Sequence, residues 1–289
     1  MIETLSARIE ATTARALASG ALEPIETEET RIADGGVSFL VRRLSTLLRK
    51  ERIGRERAAA ARPVDPFDPP ESELTVAEMS ATHVAVLNKF PVLHGHLLLV
   101  TRRFVDQESL LDAADMDALA AAMCELDGLA FYNGGAVAGA SQPHKHLQLV
   151  PLPLAIDGPF APIEALFDAE AGQEGPVSLA RLPFAHAFVR LAGEPAVAGA
   201  ALLDTYYALL AAAGLHARAG AASSPYNLLA TRRWMLLVPR ARERFGTISV
   251  NALGFAGSLF VRDAAELAVL RRAGPFAALR AVALPRAGL

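Results

Sequence analysis

"GASQPHKHLQLVPLP", residues 139–153, sets His144, His146 and Gln148 at every second position, behind a turn of small residues and ahead of two prolines. Successive side chains of a strand point to opposite faces. His144, His146 and Gln148 therefore share one face, and Lys145, Leu147 and Leu149 share the other. The leucine face can pack on a core. Burying two imidazoles and an amide without partners would cost on the order of 1–3 kcal/mol per group, so the polar face is expected to wall a cleft. The strand is expected over 145–153, where the prolines end it.

Working outward, apolar residues at helical spacing (Ile2, Leu5, Ile9, Ala16) predict a helix over 2–20, with Gly20 as its stop. Strands are expected over 35–44, 83–90 and 95–104, the last two as a hairpin turning at Pro91. The proline- and acid-rich stretch 62–74 reads as a connector. Residues 106–130 read as helix broken near Asp112, and 132–140 as a glycine-rich turn or a strand passing close to a neighbour. The loop-rich stretch 154–180 is the expected seam between an N-terminal half, 1–160, and a C-terminal half, 161–289, within one compact domain. Beyond it come a strand at 184–191, a helix at 199–215, and two strands in 226–242 around Thr231–Arg233. A strand, bend and strand follow at 247–261, then helices over 263–281. Adjacent runs of strands between long helices favour an α+β fold with a predominantly antiparallel sheet flanked by helices.

Composition narrows the partners. Of 289 residues, 52% are apolar, enough for a sizeable core. The formal charge of −3 argues against a nucleic-acid or membrane-surface binder, whose affinity would rest on a basic excess. The single cysteine, Cys124, excludes a disulfide framework. The N-terminal residues lack the apolar core of a signal peptide, and no apolar run is long enough to span a membrane, so a cytoplasmic location is expected. A monomer and a dimer are equally compatible with the sequence. Only three lysines, Lys50, Lys89 and Lys145, accompany 25 arginines. A compact ammonium suits a point contact to a phosphate oxygen.

Neutral imidazole can ligate a metal, move protons or attack phosphorus. Attack needs one bare ring nitrogen and the other held as an N–H donor, for which a backbone carbonyl suffices. It also needs donors for the equatorial phosphate oxygens. The turn "NGGAVAGASQ" offers backbone N–H groups, and Ser141 and Gln142 add side-chain donors. Gln148 can hold a phosphate oxygen but cannot deliver a proton, so the leaving group should need none, as another phosphate does. A zinc site built from His94, His96, His144 and His146 is the competing reading. It lacks carboxylate and thiolate, and no metal ligands are assigned. His83, His186 and His216 read as structural or surface residues.

"FPVLHGHLLLVTRRF", 90–104, resembles the histidine-triad superfamily pattern of a proline-bearing turn and Gly-His leading into an apolar strand. "SQPHKHLQLVPLP" resembles the variant with glutamine in the third place, typical of its transferase branch. "VLNKF", "YNGGAVAGASQPHKHLQ" and "SVNALGFAGSLFV" are similar to the diadenosine tetraphosphate phosphorylases (ATP adenylyltransferases). The hexose-1-phosphate uridylyltransferases carry proline where Lys145 stands. The resemblance spans about 35–262. It implies a histidine-triad-like fold and a nucleotidyltransferase that splits Ap4A with phosphate into ADP and ATP through a covalent AMP-histidine, reversibly.

By motif position, His146 is the implied nucleophile, His144 positions it through its carbonyl, and Gln148 holds the α-phosphate. Lys50, Asn88, Lys89, Asn133, Gly139, Ala140, Ser141 and Gln142 are the implied ribose and phosphate contacts. Asn227, Thr231, Met235 and Arg240 are implied walls of the second nucleotide or phosphate pocket. Mg²⁺ is expected to arrive on the substrate phosphates, without a protein cage. A hexose-1-phosphate uridylyltransferase, a dinucleotide hydrolase and a nucleotide-binding protein without turnover remain as alternatives.

Overall fold

The computed structural model describes residues 3–44, 65–155, 160–168, 172, 174–191, 198–218 and 220–286. Helix α1 (Leu5–Ser19) is followed by strands β1 (Thr27–Asp34), β2 (Val37–Leu44), β3 (Thr75–Glu78), β4 (His83–Leu87) and β5 (Leu97–Thr101). Helix α2 (Ala113–Glu125) leads to β6 (Gly128–Gly134) and β7 (His146–Pro151). The second half contributes β8 (Ala187–Arg190), α3 (Gly199–Ala212), β9 (Tyr226–Ala230), β10 (Trp234–Pro239), β11 (Ser258–Val261), α4 (Ala264–Ala273) and α5 (Pro275–Val282).

Eight strands form one antiparallel sheet in the order β3-β4-β5-β7-β6-β9-β10-β8. The expected α+β architecture is thus observed. The sheet does not stop at the loop-rich seam: β6 of the first half pairs with β9 of the second, from Tyr226 opposite Gly134 to Ala230 opposite Ala130.

The two faces of this sheet are covered differently. Leu97, Leu99, Leu147, Leu149, Tyr132 and Leu228 pack with Leu5 and Ile9 of α1, Met116 and Leu119 of α2, and Leu202 and Leu209 of α3. On the opposite face, Phe131, Leu229, Leu236 and Val238 pack under a three-stranded sheet, β1-β2-β11, and under α4 and α5. That second layer stops short of β4 and β5. There the face carries only a small cluster of Phe67, Val84, Val86, Leu98 and Val100. The gap beside this cluster is where His146 and Gln148 emerge.

Local chemistry explains most boundaries. Thr4 caps α1 by accepting from the N–H of Ala7 at 3.2 Å. Gly20 ends α1 with φ 77°, a left-handed conformation suited to glycine. Asp112, expected as a break in one helix, is instead the N-cap of α2, in a reciprocal capping box with Asp115. Two expectations are corrected. Residues 128–134, read as helix as far as 130 and as a glycine-rich turn or close-passing strand from 132, form the central strand β6, because an all-round apolar run does not distinguish a buried strand from a helix. Residues 27–34, for which no element is expected, form β1, an edge strand whose half-buried face carries Thr30 and Asp34 beside Ile32, so its alternation of burial leaves no alternation of apolar residues to read.

Candidate active site

His146 opens β7 opposite Val100 of β5, and Gln148 sits between Leu98 of β5 and Phe131 of β6. At the level of His146 the pairing of β6 with β7 has ended, its last partners being Phe131 and Gln148, while β6 runs on beside β9. The side chain of Gln107 fills that break in the ladder. Its Oε1 accepts from the N–H of His146 at 2.8 Å, and its Nε2 donates to the carbonyls of His146 (3.2 Å) and Asn133 (2.9 Å). Gln107 is buried and its own carbonyl accepts from the Tyr132 hydroxyl. The backbone of His146 is therefore clamped by a side-chain amide that takes the place of a strand.

The ring of His146 donates through Nδ1 to the carbonyl of His144 at 2.8 Å, leaving Nε2 bare. Burial pushes its pKa down to about 4, with the neighbouring His144 lowering it further against the raising effect of the carbonyl bond. The imidazole is neutral at any pH above that value. Gln148 places its Nε2 3.5 Å from this bare nitrogen and accepts on Oε1 from His96 Nε2 at 2.9 Å. His96 Nδ1 in turn accepts from Asn88 Nδ2 at 3.2 Å. The donors and acceptors run in one direction, from Asn88 through His96 and Gln148 to His146 and the carbonyl of His144. Burial holds the pKa of His96 down to about 4 as well, so its ring keeps a single N–H, aimed at Gln148.

These groups border an open cleft of about 200 Å³. Its apolar wall is Pro66, Phe67, Leu74, Val86 and Leu98, and its polar rim is Asn88, Lys89, Ser141 and Gln142 with His146 and Gln148 at the floor. Lys89 is half-exposed at the mouth and pairs with Glu71 at 2.6 Å. The wall of rings and aliphatic groups suits a flat heterocycle, and the amides and the ammonium suit ribose and phosphate oxygens.

Of the residues singled out in the sequence, His146, Gln148, Asn88, Lys89, Ser141 and Gln142 line this cleft, and His144 lies directly behind it. Lys50 lies outside the described residues. Gly139 and Ala140 do not offer free amides: their N–H groups close the turn onto Ala136 and Gly135. Gly139 is needed for another reason. Its φ is 94°, and a Cβ there would meet Cα of Asn251 at 2.9 Å.

The C-terminal assignments and Asn133, expected as a ribose or phosphate contact, are corrected together. Asn133, Asn227 and Arg240 are buried and bond one another behind the turn rather than facing the cleft. Asn227 Nδ2 donates to Asn133 Oδ1 and to the carbonyl of Ala138, both at 2.8 Å. Arg240 donates to Asn227 Oδ1 and to the carbonyls of Ala138, Val250, Arg242 and Val282. Burial lowers its pKa to about 10, still a cation at neutral pH. Thr231 caps the β9–β10 turn by accepting from the N–H groups of Arg233 and Trp234. Met235 packs in the helix-covered core opposite Ala230. A polar residue in an apolar strand marks either a site or a buried network, and here the network is the outcome.

Lys145 is turned into the opposite layer, where it pairs with Asp115 and donates to the carbonyl of Leu110 at 2.8 Å. Burial raises the Asp115 carboxyl, but His83 at 3.0 Å and Lys145 outweigh it and hold the group below the usual range. Lys145 thus secures the back of the motif and reaches no ligand. His94 is exposed and faces Glu10, away from His144 and His146, so the imagined four-histidine cluster does not assemble. Among the described residues no group of three or more His, Cys, Asp or Glu could hold a metal ion, and no helix is long and apolar enough to cross a membrane. Three residues with a part in this site carry no sequence assignment, Gln107, Asp65 and Phe67, and His96 figures only in the competing zinc reading. His96 has a legible signal, since it immediately precedes β5 and shares parity with Leu98, the partner of Gln148.

Residues 1–169 match the Ap4A phosphorylase N-terminal domain family, and residues 180–285 match the ATP adenylyltransferase C-terminal domain family. Among curated proteins, the chain is 32% identical to diadenosine 5',5'''-P1,P4-tetraphosphate phosphorylase 2 of Saccharomyces cerevisiae over 70% of each chain. It is 28% identical to Protein APA1 of the same yeast, over 85% of this chain and 83% of that one. The crystal structure of yeast Ap4A phosphorylase Apa2 superposes with a TM-score of 0.81 at 26% identity, covering 99% of both chains. The structure of Apa2 in complex with Ap4A gives a TM-score of 0.78 over 99% of both chains.

Proposed function

Since the chain belongs to the Ap4A phosphorylase family, we propose that it cleaves dinucleoside polyphosphates such as Ap4A with inorganic phosphate, giving ADP and ATP, and runs in reverse when products accumulate. The observation that carries this reading is the bare Nε2 of His146, fixed by the Nδ1 bond to the His144 carbonyl and opening on a cleft rimmed by Asn88, Lys89, Ser141 and Gln142.

One adenine stacks in the apolar part of the cleft and presents its α-phosphorus to His146. Nε2 forms the new N–P bond as the P–O bond to the remaining triphosphate breaks, and ATP leaves. Its departing oxygen is a phosphate oxygen and needs no proton, which fits an amide at position 148. The Gln148 Nε2–H group, already beside Nε2 of His146, moves onto an equatorial oxygen of the α-phosphoryl group. Phosphate then attacks the same phosphorus from the vacated side, the N–P bond breaks, the ring departs neutral and ADP is released. Mg²⁺ travels with the substrate, held by its own oxygens.

Mass spectrometry of the protein after incubation with Ap4A tests the covalent step. An acid-labile AMP adduct on the peptide containing His146, absent from His146→Asn, is the expected result. Product analysis separates phosphorolysis from hydrolysis: AMP plus ATP in amounts indifferent to phosphate would replace this reading with a hydrolase.

A further inference from the structure

The segment 65–70, "DPFDPP", crosses the open part of the sheet and brings Asp65 to His144. The His144 side chain is fully buried. Its Nδ1 lies 2.7 Å from Asp65 Oδ2, and its Nε2 lies 2.7 Å from the carbonyl of Thr101 and 3.0 Å from Thr101 Oγ1. A carboxylate and a backbone carbonyl can only accept. The Thr101 hydroxyl has the carbonyl of Lys145 at 3.3 Å as an alternative partner, so the acceptor that decides the state of Nε2 is the Thr101 carbonyl at 2.7 Å. A neutral imidazole would set one bare nitrogen against an acceptor at 2.7 Å. Both nitrogens therefore carry hydrogens.

We infer that Asp65 is a positioning residue that holds the His144 ring as an imidazolium immediately behind the His146 nucleophile. The surroundings leave it the only counter-charge among the described residues facing the ring. Phe67 and Phe104 pack their rings against it, with centroids at 5.7 and 5.4 Å. From the adjoining 104–106 segment, Asp106 pairs only its backbone with His144, and its carboxylate accepts from the N–H of Glu108. On β7 the titratable neighbour is His146 itself.

The same carboxylate has a second task. Asp65 Oδ1 accepts from the N–H of Phe67 at 2.9 Å, which fixes the turn that lays the Phe67 ring 5.4 Å from His146. One side chain thus sets the cleft wall, fixes the ring of the residue whose backbone carbonyl chooses the His146 tautomer, and holds on that ring a positive charge that disfavours protonation of the nucleophile. The first two parts stand on geometry alone, and the third rests on His146 being the nucleophile.

¹⁵N NMR of the histidine rings in the full-length protein at pH 7 tests the inference directly, with His144→Asn used to assign the signals. Two protonated-type nitrogens on His144 are expected. One protonated and one bare nitrogen would overturn the proposal without any variant of Asp65. In Asp65→Asn, the amide keeps its oxygen on Phe67 and turns its NH₂ toward Nδ1, so His144 should convert to the neutral form with hydrogen on Nε2 only. The acid limb of kcat/KM should move to higher pH in that variant, because His146 loses a repelling charge. An unchanged His144 pattern or an unmoved acid limb in folded Asp65→Asn would show that Asp65 only anchors the segment. Failure of the native protein to form an AMP adduct would instead remove the transferase reading and leave the ring-nitrogen result intact.

Discussion

Gln148 accepts a hydrogen bond from His96 at 2.9 Å on its oxygen and thereby turns its NH₂, not its carbonyl, toward the bare Nε2 of His146. An amide can flip with little change in shape. If it did so here, a carbonyl lone pair would face the lone pair of Nε2 and later an anionic phosphoryl oxygen.

His96→Phe keeps ring volume and removes both of its hydrogen bonds. The freed amide loses its orientation, worth about 1–3 kcal/mol. The single-turnover rate of AMP-His146 formation should fall by roughly 10- to 100-fold, while nucleotide affinity changes little. Rapid-quench measurement of adduct formation checks this, and a native rate in folded His96→Phe would refute the orienting role.

The pH dependence of that same step follows from burial of His146. With its pKa lowered to about 4, the ring protonates and loses its lone pair only near that pH. Adduct formation should hold through pH 5 and fail as pH drops through about 4, where an ordinary histidine would already fail near 6.5. A stopped-time pH profile of adduct yield distinguishes the two.

Stability should respond to pH over a wider window. His96, His146 and His186 all have pKa values lowered to about 4 from 6.5. Between those values the unfolded chain binds protons that the native protein does not. The unfolded state gains as pH falls, by at most about 1.4 kcal/mol per pH unit for each ring. Urea midpoints should decline steadily from pH 6.5 toward 4. His186 has no part in the cleft: it donates to the carbonyl of Phe184 and accepts from the N–H of Leu179. His186→Gln should flatten this decline without moving the adduct profile.

Asn227→Ala separates a substrate contact from a buried brace. The change strips donors from Ala138 and Asn133 and an acceptor from Arg240, at about 1–3 kcal/mol for each orphaned group. A clear drop in the urea midpoint is expected, together with a higher KM as the turn carrying Ser141 and Gln142 loosens. A weaker KM with undiminished stability would return Asn227 to the ligand.

The order of these effects reflects what sequence can encode visibly. His144, His146 and Gln148 were legible because strand alternation puts them on one face and leucines on the other, Ser141 and Gln142 because they follow a glycine-rich turn, and Asn88 and Lys89 through the family resemblance of "VLNKF". Asn227 and Arg240 sit in equally apolar strands, where pairing to a ligand and pairing to each other leave the same trace. Asp65, Phe67 and Gln107 lie in irregular segments with no periodicity, and their places are decided by chain crossings that no local pattern records. Strand β6 was hidden for the opposite reason: buried on both faces, it has no polar side to reveal its period.

The pairing of β6 with β9 carries a consequence for dissection of the molecule. A fragment ending near residue 169 would leave the N–H and C=O row of β6 without its neighbour, on a strand whose seven residues are all buried in the intact chain. Such an edge invites self-association. Separately produced fragments should precipitate alone and regain solubility and activity when refolded together, a split-protein complementation that light scattering and Ap4A turnover would register.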